Sequence, residues 1–349
     1  MAYTNIDDPS AYFQTAIWTG NATNRTIDLD SNSTMQPDFS WVKSRSNTYE
    51  HYLENSSSGT DKYIRSNSSA AQQTGTIVTY NSTGFGIGSG AENNQSSTTN
   101  VGWFWKGNGG TRSTFTESGN NPGGGYQVNT TAGFSIVDYT GTGGAGTVSH
   151  GLSAVPKFIM VKRTSGTADW NVYHAGNTSA PETDYLVLNS TASTSDNTRW
   201  NDTAPTTSVF SVGTDDAVNG DAETYLAFVF AEKQGYSKFG KYTGNGNVNG
   251  PFVYTGFKPA FVLVKSIDAV HNWHILDNKR DPENVVDKYL NPDNTAAEAT
   301  FTFGDFLSNG FKWRSSSGTS FNESGTSYIY MAFAESPFVT STGIPTTAR

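Results

Sequence analysis

Short apolar stretches alternate with polar, glycine-rich ones along the whole chain. Phe158 to Val161 and Phe261 to Val264 are unbroken apolar runs behind a proline. That pattern predicts strands covered on both faces. Val101 to Trp105, Tyr225 to Phe230 and Tyr328 to Phe333 are aromatic and β-branched, as strands prefer. Turn clusters such as Asn219-Gly220-Asp221, Asn309-Gly310 and Ser316-Ser317-Gly318 separate these runs. No stretch of helical length has helical periodicity. Asp8-Pro9-Ser10 resembles a helix start, but Tyr12 to Trp18 matches the strands that lead into Tyr139 and Tyr242, so a long helix is rejected there.

Four landmarks recur in one order, three times. Trp18-Thr19-Gly20 returns as Tyr139-Thr140-Gly141 and Tyr242-Thr243-Gly244. A proline strand follows, beginning at Pro37, Pro156 or Pro259 and closing on Lys43, Lys162 or Lys265. A segment centred on Tyr63, Tyr185 or Tyr289 comes next, then the closing aromatic strand. In the first copy Phe39, Trp41 and Lys43 share one strand face and Ser40 and Val42 the other, so a wetter side is expected there. Each repeat has the length of a small domain. The expected fold is all-β: three tandem antiparallel β-sandwiches, concanavalin- or jelly-roll-like, related by an internal repeat. The expected divisions are a first sandwich over 1–107, a Gly/Ser/Thr/Asn-rich linker or long loop over 108–132, sandwiches over 133–234 and 235–338, and an extended tail over 339–349.

Composition narrows the functional classes. The 349 residues include no cysteine, which removes disulfides, thiolate metal sites and a cysteine nucleophile. Apolar residues make up only 35%, yet 8 Trp, 17 Tyr and 21 Phe at regular positions argue against disorder. A net charge of -9 without basic clusters makes nucleic-acid binding unexpected. No apolar run is long enough for a membrane helix, so no membrane insertion is expected. Met1 to Ser10 lacks the basic-then-apolar order of a secretory signal.

Several motifs imitate chemistry. Gly141-Thr142-Gly143-Gly144-Ala145-Gly146 has dinucleotide-site spacing, but no helix is predicted after it to face a pyrophosphate. Gly235 to Lys241 imitates a phosphate loop, but Tyr242 stands where a hydroxyl residue is needed. No catalytic, cofactor or metal residue is therefore assigned. His51, His174 and His274 fall in one variable stretch of each repeat and read as surface or interface side chains. Lys43, Lys162 and Lys265 read as strand ends reaching water. Asp215, Asp216, Asn219, Asp221 and Glu223 read as an acidic hairpin tip rather than a calcium site. Trp41, Trp103 and Trp105 are expected in the core. Trp200 with Asp202, in a polar turn region, and Trp313 with Arg314 are the candidate glycan or partner contacts.

The strings Asp8-Pro9-Ser10-Ala11-Tyr12-Phe13-Gln14-Thr15, Phe252 to Phe261 and Tyr328 to Glu335 resemble an uncharacterised repeat domain of tailed, largely marine bacteriophage proteins. The resemblance covers nearly the whole chain. It implies a virion protein assembled in the host cytoplasm, with no site residues to carry over. The expected function is a non-enzymatic surface appendage, either a tail fibre or spike component or a head-decoration knob. Its expected partners are other capsid or tail proteins, in a homo-oligomer or in many copies. A receptor-recognition lectin for host surface glycan is the second reading and a polysaccharide depolymerase the third.

Overall fold

The structure, a computed structural model, describes residues 2–59, 61–316 and 320–346. Ser317 and Gly318 of one expected turn, and the last three residues of the expected tail, lie outside them. The chain is all-β, with antiparallel pairing throughout its six sheets. The helix start at Asp8 is realised as one short turn, Pro9–Ala11, capped by the Asp8 carboxylate. A strand, Phe13–Thr19, then follows.

The sheets form three pairs. In the first, a six-stranded sheet runs in the order Phe13–Thr19, Thr99–Trp105, Phe39–Ser44, Tyr52–Asn55, Lys62–Arg65, Gln73–Thr74. It faces the strands Arg25–Asp28, Gly84–Ile87 and Val78–Asn81. In the second, the matching central order is Phe134–Thr140, Thr224–Phe230, Phe158–Arg163, Asn171–His174, set against Gly146–Ser149 and Val209–Val212. In the third it is Ser237–Thr243, Ser327–Pro337, Phe257–Ser266, His274–Asp277. The partner sheet there is Phe252–Tyr254, Gly310–Trp313, Ala299–Leu307, Val286–Tyr289. Each pair encloses its own apolar core, the arrangement of multiple β-sandwich units.

The segment 108–132 corrects the expectation of a linker. Ser113–Phe115 and Gly123–Asn129 extend the second large sheet by two strands. Glycine is required there because a Cβ on Gly124 would lie 2.1 Å from the Asp138 carbonyl oxygen. Gln127 of that strand also accepts from Asn108 N–H and Gly110 N–H and donates to Ser56 and Ser57 hydroxyls.

A fourth core joins the pairs. Strand alternation sends Ile159 and Val161 into the second pair's own core and Phe158 and Met160 out of its far face. That far face meets the corresponding faces of the other two large sheets. Trp105, Phe230 and Phe333 touch one another in a triangle, with ring centroids 6.3, 5.9 and 5.6 Å apart. The surrounding Phe39, Phe134 and Phe261 are fully buried. The wetter side expected for the first copy is absent, since Ser40 and Ser44 are also buried under neighbouring structure.

Contacts between pairs follow one scheme. Gln72 N–H donates to Thr164 O at 3.0 Å, Thr194 N–H to Ile267 O at 3.0 Å, and Glu298 N–H to Arg45 O at 2.8 Å. The first pair thus reaches the second, the second the third, and the third the first. This is a ring and not a row. The accessible surface of 12616 Å² agrees. A compact monomer of this mass is expected to expose roughly 13,800 Å², and three separate beads would expose more.

Candidate functional site

The candidate contact residues are not surface aromatics. Trp200 closes a single helical turn, Thr198–Trp200, and is 2% exposed. Its Nε1–H donates to Asp184 O at 3.0 Å and its ring meets Tyr173 edge-on. Asn201 and Asp202 then turn through the left-handed region, leaving Asp202 exposed. Trp313 lies on the strand Gly310–Trp313, 1% exposed, among Tyr242, Phe303, Phe311 and Phe321. Arg314, beside it, is ion-paired with Asp305. The two indoles belong to different cores and do not come together. A large apolar ring gains more from filling its own sandwich than from standing in water, so neither can stack on a ligand in this fold.

The lysines also depart from expectation. Lys43, Lys162 and Lys265 do not reach water; all three are fully buried. Lys162 Nζ donates to Ala168 O and, across the junction, to Ser69 O; Lys265 Nζ donates to His271 O and, across the next junction, to Thr191 O. Lys43 Nζ holds Ser44 O and Asn47 O within its own loop. Burial pushes each ammonium down to about 8. The charge is kept at neutral pH and works as a two-carbonyl tie. His51, His174 and His274 are all buried: His51 and His174 lie at interfaces between sheet pairs, whereas His274 packs on Tyr289, Phe303 and Phe321 within the third pair. His174 Nε2–H donates to Tyr330 O of the third pair at 3.0 Å.

Two recurring contacts have signals that the repeat landmarks did not use. Trp170 Nε1–H donates to Arg65 O of the first pair and Trp273 Nε1–H to Val187 O of the second. At the corresponding place in the first pair stands His51, beside the backbone of Asn291 in the third. Spacing from the recurring lysine would have found these residues. The second contact is a buried asparagine ahead of each closing strand. Asn94, Asn219 and Asn322 each accept from a loop N–H, that of Asn21, Thr142 or Asn245. Each side-chain amide then donates to two carbonyls, for example those of Gly144 and Gly213 for Asn219. The glycine of each Thr-Gly landmark is needed here. A Cβ on Gly20, Gly141 or Gly244 would lie 2.1 to 2.3 Å from a backbone oxygen of the asparagine loop. The dinucleotide look-alike at 141–146 is thus a loop pinned by Asn219 and followed by a strand. The acidic tip is the short helix Asp216–Asn219, capped by Asp215. Asn322→Ala is expected to cost about 2 kcal/mol, because three backbone groups lose their partner together; urea unfolding measures it.

Among the described residues no group of three or more His, Asp or Glu side chains is placed to hold a metal ion. No described helix is long and apolar enough to cross a membrane. Exposed aromatic surface is concentrated at Phe252 and Tyr254, on the outward side of an edge strand, where Tyr3 Oη lies 3.2 Å from Tyr254 Oη. No curated protein matches the chain. A family model matches residues 8–337, and the chain belongs to that family, a domain of unknown function (DUF7483).

Proposed function

We propose that the chain is three β-sandwich units related by an internal repeat, closed about a pseudo-threefold axis. In this reading it serves as a non-enzymatic structural knob of a tailed-phage particle, carried in many copies. The observation that supports the architecture best is the ring of matched junction bonds around the Trp105–Phe230–Phe333 triangle. One chain so built presents three similar faces and suits a threefold or quasi-threefold position. The phage setting rests on the sequence resemblance. Other head or tail proteins are its partners, and the terminal arms offer an attachment face: Asp7 accepts from Ser341 N–H at 2.6 Å, and Thr4 Oγ1–H donates to Gln234 O at 2.7 Å.

The test is localisation in purified particles, by antibody labelling in the electron microscope and copy counting by mass spectrometry. Hundreds of copies over the head would make it a decoration protein, and a few at the tail a spike or fibre component. Absence from the particle would overturn the proposal. Glycan recognition is the second reading. Trp200 and Trp313 no longer support it, but a cavity elsewhere does.

A further inference from the structure

We propose that the cleft between the first and third sheet pairs binds one sugar residue and prefers an acidic one. This holds whether or not the chain is carried on a phage particle, and its test is separate from localisation.

The cleft has a volume of about 380 Å³, within the size range of small-molecule sites. Phe13, Ala260 and Ala334 give it an apolar inner wall. Thr15 also lines it, is only 6% exposed, and its hydroxyl has no partner among the described residues. A buried hydroxyl without a partner costs free energy unless something else completes it.

The other sheet pairs show what this position looks like when it is simply core. Thr15 stands opposite Trp103 on the first strand of its sheet. In the same register of the other large sheets stand Ile136, opposite Phe228, and Phe239, opposite Met331. Both are buried in the shared core. Two junctions are thus filled with hydrocarbon at this point, while the third has a hydroxyl and a cavity.

The outer wall is fixed in advance. Gln14 Nε2 donates to Ser10 O and Ser33 O, and its Oε1 accepts from Ser31 N–H. These bonds hold the loop that carries Asn32 at the rim. Across the cleft stand Asn278 and Lys279. Asn278 offers an amide, and Lys279 is an exposed cation that forms no ion pair among the described residues, whereas the neighbouring Glu335 is paired with Lys258. An apolar wall, amide and hydroxyl groups around it and one uncompensated cation match a hydroxyl-rich ring bearing a carboxylate.

Saturation-transfer NMR and calorimetry with glucuronate and galacturonate, using glucose and galactose as comparators, test this on the full chain. The uronates are expected to bind, more tightly than the neutral hexoses. Thr15→Ile, which copies the residue at Ile136, is expected to weaken binding at least tenfold while the melting temperature holds or rises, as cavity filling does. Asn278→Ala, at the rim, is expected to weaken it roughly fivefold, the worth of one hydrogen bond. Lys279→Met is expected to remove the preference for the acid. No binding at tens of millimolar would overturn the proposal. So would binding that survives both Thr15→Ile and Asn278→Ala, or uronates held no better than hexoses.

Discussion

Arg280→Met is expected to cost about 4 kcal/mol, by loosening the junction that closes the ring. Arg280 and Asp277 have fully buried side chains, joined through Nε and Oδ2 at 2.6 Å. Arg280 also donates to Ile275 O and to Glu298, and lies over the Trp103 ring at 5.6 Å. Asp277 in turn accepts from Trp103 Nε1–H at 3.1 Å. Glu298 forms a two-pronged pair with Arg45, both contacts at 2.8 Å. Trp103 and Arg45 belong to the first sheet pair and the others to the third. This is the one junction that joins sheet pairs not consecutive in the chain. Removing the guanidinium leaves the Asp277 carboxylate buried with only neutral donors, which costs about 3–5 kcal/mol. For a chain of this size the melting temperature should fall by roughly 5 °C. Pairing the change with Asp277→Asn removes the stranded charge, so the double variant should lose less than the sum of the singles. Arg45→Met, at the more exposed end, should cost about 1 kcal/mol. Equal losses for Arg280→Met and Arg45→Met would show that the buried pair does not hold the junction.

Strands were legible where the local pattern is set by the strand itself. Phe158 to Val161 needs cover on both faces, and that alone announced a sheet between two cores. Partners that arrive from another part of the chain left little trace. Lys162 looks like a strand end in water because nothing beside it in sequence supplies the Ser69 carbonyl. The same holds for Lys265 and Thr191. Gly123-Gly124-Gly125 looked like a linker because glycine usually marks freedom. Here its missing side chain lets a strand lie close against Asp138. Trp200 looked exposed because its neighbours Arg199, Asn201 and Asp202 are polar. A single helical turn followed by two left-handed residues swings the indole inward and Asn201 and Asp202 outward, while Arg199 folds over the Tyr185 ring. The cleft at Thr15 was not legible at all, since one threonine in an apolar strand carries no signal until Ile136 and Phe239 are seen in the same register.

Acidification from pH 7.5 to 4.5 is expected to destabilise the fold by about 3 kcal/mol or more, and four histidines set the sign. His51, His150 and His174 are fully buried and His274 is 5% exposed. In each ring Nδ1 accepts an N–H: from Trp41 Nε1, Leu152 N, Gly176 N and Asn291 Nδ2 respectively. A second proton on Nδ1 would face a donor, and burial opposes the charge as well. Burial accordingly holds His150 and His174 down to about 4 and His274 to about 3, and His51 well below the usual value. A base held down in the folded state lends stability above its unfolded value near 6.5. That stability is lost as pH falls toward the folded value. His150, His174 and His274 each lose about 2–3 kcal/mol over this interval, and His51 acts in the same sense. Glu54 and Asp293 oppose this. Desolvation raises them to about 7 and about 6, so protonation favours the fold, and each returns about 2–3 kcal/mol. Asp281, held down mainly by Lys288, and Asp138, raised by burial, act in opposite senses. Four losses against two gains leave acid destabilising, with a melting temperature lower by roughly 4 °C or more. Circular-dichroism melts across this range measure it. His174→Gln keeps a donor for Tyr330 O and an acceptor for Gly176 N–H while removing the titration, so it should remove about 2–3 kcal/mol of the acid loss. A melting temperature that is level or rises on acidification would mean that the carboxyls, and not the histidines, dominate the interior.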